Sequence, residues 1–181
     1  MKRCSWLNLN NPIYVKYHDE EWGRPVRDDH KLFEMLLLES FQAGLSWECI
    51  LNKRESFQKS FDNYDYKKIS NYTESKVEEL MQNKGIIRNR RKILATIKNA
   101  QVFIEIQKEF GSFSNYIWGF TNKEVIKRTE KKLPASTPLS DKISKDLKKR
   151  GMKYTGTVII YSYLQAIGVV NDHDEDCFRF N

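Results

Sequence analysis

Lys148-Lys149-Arg150-Gly151-Met152-Lys153-Tyr154-Thr155-Gly156-Thr157 is the stretch that decides the fold. Ahead of it, Ser140, Ile143 and Leu147 mark a short basic helix. Behind it, an apolar helix runs from about Thr157 to Ala166 and ends at Gly168. Two glycines five apart between these helical runs suit a tight hairpin whose backbone approaches a ligand closely. The second helix begins after Gly156, so its free N–H groups and positive dipole end would receive a phosphate, and Lys153 adds charge there. An ordinary turn between helices predicts the same glycines. The basic residues on the entering helix tip the reading toward binding a nucleic-acid backbone.

Working outward, the periodicity is helical nearly throughout. Asp28 and Asp29 are N-cap candidates ahead of Leu32, Phe33, Leu36 and Leu37. Ser46 is the expected cap of a helix striped by Trp47, Ile50, Leu51 and Phe57. Thr73 precedes Val77, Leu80 and Met81, and Gly85 stands where a left-handed residue would close that helix. Ile93, Leu94, Ile97, Ala100 and Ile104 mark a long helix that Gly111 would end. Val158-Ile159-Ile160-Tyr161 is β-branched enough for a strand, but no alternating partner lies nearby and no Asn-Gly hairpin dipeptide occurs. All four prolines fall outside the periodic stretches. The expectation is an all-α chain, with Lys131 to Pro138 as its one clear linker.

Composition narrows the class. The chain has 181 residues, 40% apolar and 13% aromatic, enough for a real core in one domain, 1–181, or in two helical lobes with a cleft between them. Three cysteines and no apolar run behind Met1 suit a reducing compartment, so a cytoplasmic location is expected. No stretch approaches the roughly 18–20 apolar residues of a membrane span. The net charge of +7 concentrates in Arg88 to Lys92 and in Lys142 to Lys153. Those clusters fit phosphate neutralisation, and they fit a solvated helix face as well.

Three segments look chemical rather than architectural. Tyr17-His18-Asp19-Glu20-Glu21-Trp22-Gly23 is polar and aromatic without clean helical period. In Leu38-Glu39-Ser40-Phe41-Gln42-Ala43-Gly44-Leu45-Ser46-Trp47, Glu39 follows an apolar run and Gly44-Leu45 breaks it. Trp6 lies two residues after Cys4. A carboxylate among Trp and Tyr rings makes a pocket for a flat cationic heterocycle, each ring face contributing about 0.5–2 kcal/mol. The same rings would equally fill a core, and Glu39 would equally cap a helix or pair with an arginine. Leu45 reads either as core or as a wedge that enters a base stack.

Cys4, His18, His173 and Cys177 supply two thiolate sulfurs and two imidazole nitrogens, the donor set of a tetrahedral zinc. One helical turn or tight loop would point His173 and Cys177 at one ion. Cys4 and His18 would need a folded-back N-terminal loop. Spacing alone leaves open two buried residues and two solvated ones, because this is not a compact finger pattern.

These pieces together resemble the bacterial 3-methyladenine DNA glycosylase I family, of the helix-hairpin-helix glycosylase superfamily. The resemblance rests on Arg3-Cys4-Ser5-Trp6, Tyr17 to Gly23, Leu38 to Trp47, Gly85 to Arg90, Lys148 to Gly156, and Gly168 to His173 with Cys177. It implies a helix-hairpin-helix fold in which one structural Zn2+ per chain, held by Cys4, His18, His173 and Cys177, joins the two terminal segments. It implies that Glu39 and Tyr17 read an extruded 3-methyladenine, that Trp47 stacks on it, and that Trp22 and Trp6 line the pocket. Leu45 would fill the gap in the duplex with Gln42 nearby, and Gly151, Lys153 and Gly156 would anchor the backbone. The implied partners are double-stranded alkylated DNA and the free base as product, with the protein acting as a monomer and with no membrane.

Glycosylases of the superfamily often carry a catalytic Asp in a Val-Asp-Thr-His-like sequence after the hairpin. Here Asn171 stands at that place, an absence the 3-methyladenine family shares. Asp172 is one position off and is not promoted to catalyst. With no lysine in a nucleophile context, the expectation is a monofunctional hydrolase without lyase activity that leaves an abasic site. The competing class is a non-catalytic, zinc-stabilised DNA-damage-binding module.

Overall fold

Asp28 caps the central helix α2 (Asp29–Gln42) by accepting the Lys31 N–H at 2.8 Å, and every residue from Leu32 to Phe41 is buried. The computed structural model describes residues 1–127 and 133–180. Around α2 pack the long helix α7 (Arg90–Phe110), α8 (Phe113–Gly119) and α10 (Thr157–Ala166). Asp29, the other cap candidate, caps a different helix: its carboxylate accepts the N–H groups of Phe113 and Ser114 at 2.9 and 2.8 Å. Stacked rings of Phe103 and Phe113, 4.1 Å apart, fill the space between α7 and α8.

The remaining helices are shorter: α1 (Pro12–Glu20), α3 (Trp47–Leu51), α4 (Arg54–Ser60), α5 (Tyr66–Ile69), α6 (Glu74–Gln82) and α9 (Pro138–Lys149). Several expectations need correction. The supposedly aperiodic stretch around Tyr17 and His18 is the end of α1, so His18 sits on a helix rather than in a folded-back loop. Its buried face is only two residues wide, which left the period unreadable. The single helix expected from Trp47 to Phe57 breaks at Asn52 and Lys53 into α3 and α4. Gly85 does not close α6 in the left-handed region; the extended Asn83 does, and its side chain receives the Gly85 N–H at 2.8 Å. Pro12 and Pro138 begin helices, where a missing N–H costs nothing. Lys131 and Lys132 of the expected linker lie outside the described residues, and Thr137 caps α9 through a capping box with Ser140.

The chain is mostly helical rather than wholly so. Ile126–Lys127 (β1) pairs in parallel with Val170–Asn171 (β2). No helix among the described residues is long and apolar enough to cross a membrane.

The decisive hairpin has the expected ends. Gly151 closes α9 at φ 101°, a region that favours glycine, and Gly156 starts α10 with no side-chain cap. Asn99 of α7 clamps the turn, accepting the Lys153 N–H at 2.8 Å and donating to its carbonyl at 2.9 Å. The Ser144 hydroxyl donates to the Thr155 carbonyl at 2.6 Å. Lys142, Lys145, Lys148, Lys149 and Lys153 are all exposed around it.

Candidate base-binding pocket and metal cluster

Helix α1 places Tyr14 and Tyr17 on one face, and α2 ends with Glu39 and Gln42 on the side turned toward them. With Trp6, Trp22 and Trp47 they line one cavity of about 190 Å³. That is below the roughly 300–1,000 Å³ of drug-sized sites and suits a single heterocyclic base. Trp47 approaches Tyr17 at 5.3 Å, and Trp6 meets Trp22 edge-on at 4.8 Å.

Glu39, Tyr17 and Trp47 each turn a polar group toward this pocket that has no hydrogen-bond partner among the described residues. Burial alone pushes the Glu39 carboxyl up to about 8, with no hydrogen bond contributing. Burial first, and then the nearby Glu39, hold the Tyr17 phenol well above its ordinary range, so it stays protonated. The Trp47 Nε1–H is buried with no acceptor among the described residues. Buried polar groups are normally satisfied, so an unsatisfied Trp47 N–H beside the unpartnered Glu39 and Tyr17 around one cavity points to a ligand that completes them. The arginine that Glu39 might have paired with is committed elsewhere: Arg54 donates to Glu34 at 2.7 Å and to both oxygens of Glu21 at 2.8 Å. The carboxyl therefore meets an empty-handed pocket as a neutral acid, not as the standing carboxylate expected from sequence.

Leu133, Ser162 and Gln165 complete the lining together with Tyr14, and sequence reasoning missed all four. A signal existed for two of them. Ser162 and Gln165 are polar residues three apart in an otherwise apolar helix, so they share one face. Gln165 donates to Asp172 Oδ2 at 2.6 Å, and Tyr161 bonds the same oxygen. Asp172 thus orients a pocket residue and does not itself line the cavity.

Behind this wall, Cys4, His18, His173 and Cys177 are all buried, with one ligand atom from each lying within 4.8 Å of the others. His173 and Cys177 are joined by a tight turn, Cys177 N–H to Asp174 carbonyl at 2.8 Å. Each imidazole has its outer nitrogen engaged: His18 Nδ1 with Asp19 Oδ1 and His173 Nδ1 with Asn171 Oδ1, both at 2.8 Å. Such acceptors fix the tautomer that turns an Nε2 lone pair inward. Burial pushes the Cys4 thiol up to about 12, a cost that a bound cation would remove by ionising it. The donor set, the closed burial and the outer acceptors fit a tetrahedral metal. Gly23 is needed here because a Cβ would meet His173 Cε1 at 2.5 Å. The acidic residues after His173 stitch the two terminal segments together: Asp174 accepts the Ser5 N–H at 2.7 Å, and Lys2 pairs with Asp176. Trp22 lies 4.5 Å from His173 and Trp6 5.5 Å from His18, so pocket and cluster share their aromatic wall.

At the rim, Leu45 is exposed in a turn that follows α2. Gln42 holds that turn, its side chain donating to the Leu45 carbonyl at 2.6 Å. The basic run Arg88 to Lys92 is not a uniform phosphate surface: Arg90 pairs with Glu74 and Glu78, and Lys92 is buried.

The methyladenine glycosylase family model matches residues 6–180. The chain belongs to that family. It is 45% identical over 180 residues to DNA-3-methyladenine glycosylase 1 of Escherichia coli (strain K12), covering 98% of this chain and 96% of the relative. A crystal structure of 3-methyladenine DNA glycosylase I superposes with a TM-score of 0.95 at 45% identity, covering 99% of this chain and all of that one. A tyrosine-to-phenylalanine variant of such a glycosylase, solved in complex with 3-methyladenine, matches with a TM-score of 0.95 at 32% identity, over 100% of this chain and 98% of that one. The glycosylase fold is therefore common to all of them.

Proposed function

We infer that this glycosylase removes 3-methyladenine from alkylated DNA in base excision repair, leaving an abasic site. The observation that carries the site assignment is the unpartnered trio of Glu39, Tyr17 and Trp47 around a base-sized aromatic cavity. Methylation at N3 makes the base cationic and weakens its bond to deoxyribose. Water adds to C1′, the glycosidic electron pair leaves with the base, and one proton passes to solvent. The products are neutral 3-methyladenine and the abasic sugar. A strong general acid is not needed for so good a leaving group.

Selectivity comes from charge. Glu39 is neutral while the pocket is empty, and a cationic base supplies the counter-charge that lets it ionise. Trp47 and Tyr17 face the same ligand with ring π-systems and N–H or O–H donors. Neutral adenine brings no charge that would stabilise the ionised form of Glu39, so its binding gains less. Extrusion costs a few kcal/mol, which Leu45 as wedge and the Gly151–Gly156 hairpin as phosphate anchor help to offset. The hairpin joining α9 and α10, with its uncapped N-terminus and exposed lysines, supports a helix-hairpin-helix reading.

A Zn2+ held by Cys4, His18, His173 and Cys177 would supply a structural clasp with no open coordination position. Asn171, at the place of the absent aspartate, serves that cluster through His173. The protein acts as a monomeric, monofunctional hydrolase. Single-turnover release of free base from methylated duplex is the test; DNA binding without release would return the damage-binding module, which the family relationship does not favour. Strand nicking without added alkali would contradict the absence of lyase chemistry.

A further inference from the structure

Lys92 is a buried cation that the reaction does not use. It lies in the first turn of α7, and among the described residues no carboxylate pairs with it. Its Nζ donates to the Phe41 and Ala43 carbonyls, each at 2.6 Å, at the end of α2 where helix carbonyls lack intrahelical donors. The same ammonium lies 5.7 Å from the ring centroid of Tyr154, inside the hairpin. Two turns along the same helix face, Asn99 grips Lys153 of that hairpin through both its N–H and its carbonyl. One face of α7 therefore touches the turn that carries Leu45 and the turn that meets the DNA backbone.

We propose that Lys92 is a positioning residue that locks the Leu45 turn to the Gly151–Gly156 hairpin, so that wedge and anchor act on the duplex as one rigid body. This rests on reading those two turns as wedge and anchor. Filling space at this point would need only an apolar chain; an unpaired buried ammonium is a costly alternative. What the ammonium adds is several donors from one point, directed at two carbonyls on one element and a ring face on another. Extrusion needs that geometry. The wedge must enter the stack at a set distance from the held phosphate, and a misplacement of about 1 Å can cost roughly 100-fold in rate.

Lys92→Met keeps the length and removes the donors. Single-turnover excision from methylated duplex should fall roughly 10- to 100-fold. Affinity for free 3-methyladenine, read from quenching of the pocket tryptophans, should stay within about twofold, since Lys92 does not line the cavity. Tyr154→Leu should lower duplex excision less, and the double variant should lose no more than Lys92→Met alone. Normal duplex excision by Lys92→Met would overturn the proposal. So would a parallel loss of free-base affinity, which marks general damage to the pocket, or losses that multiply in the double variant. Leu45→Ala and Lys153→Ala, assayed alongside, report on the underlying reading. If neither impairs duplex excision, wedge and anchor fail and this proposal with them; if both do and Lys92→Met does not, only this proposal fails.

Discussion

The inner wall of the pocket and its outer rim are built by opposite means. The wall is side-chain chemistry in a desolvated place: Glu39, Tyr17 and three tryptophans, backed by four buried metal-type donors. The rim is exposed backbone and charge: the Leu45 turn, an uncapped helix start and the exposed lysines of α9 and the hairpin. Recognition of a cationic base needs low dielectric, which burial supplies, whereas holding a phosphate needs accessible N–H groups. The wall therefore depends on packing contributed by both ends of the chain, and the rim depends on local turn geometry braced by α7. Substitutions should divide accordingly, the wall losing stability or selectivity and the rim losing grip on the duplex.

The largest effect expected is in the cluster. Cys177→Ser should cost about 4 kcal/mol of stability and lower the melting temperature by roughly 10 °C, with loss of stoichiometric zinc measured by elemental analysis. An unchanged melting temperature would remove the metal from the wall. Next, Glu39→Gln should depress kcat/KM for 3-methyladenine release by roughly 100-fold, about 2.7 kcal/mol, while zinc content stays intact. Wild-type excision by that variant would remove Glu39 from base reading.

The same residue yields a pH signature. Its acid is held protonated up to about 8 in the folded chain, against an ordinary 4.5. Between those values the unfolded chain has released a proton that the folded chain keeps, so stability falls as pH rises, by at most about 1.4 kcal/mol per unit. Glu39→Gln abolishes that slope, and unfolding curves of the two proteins from about pH 5 to pH 8 should diverge in favour of the variant. The kcat/KM profile should rise over the same interval if the carboxylate is the form that accepts the cation.

Rim effects are smaller. Leu45→Ala should slow duplex excision about tenfold and leave free-base affinity unchanged. Lys153→Ala should weaken DNA binding by a few fold at moderate salt and reduce the salt slope by about one. Loss of free-base affinity in either variant would mean that wall and rim are not separable.

Much of the site was legible because it lies on short, dense segments. Of the ten lining residues, Trp6, Tyr17, Trp22, Glu39 and Trp47 stand out in the sequence as a carboxylate among aromatic rings, whereas Gln42, expected beside Leu45 at the DNA gap, lines the pocket instead. Ser162 and Gln165 were passed over because a helix as apolar as α10 reads as core on every face. Tyr14 was missed with α1 itself, whose pattern of two buried residues in nine carries no readable period. The basic run at Arg88 to Lys92 stays open between phosphate and solvent in the sequence for a related reason. Charge in a sequence does not say whether a cation faces solvent, a carboxylate or a row of helix-end carbonyls.

Local chemistry decided the helical class, the hairpin between Gly151 and Gly156, the left-handed stops at Gly111 and Gly168, and the identity of the four metal-type donors. Each of these follows from a few neighbouring residues, whose φ range, donor atoms or periodicity are their own. Whether those donors meet, how far Glu39 is stripped of water, and that Lys92 spans two turns depended on elements far apart in the chain packing together. Desolvation and long-range hydrogen bonding are properties of the assembled core, and no window of sequence contains them.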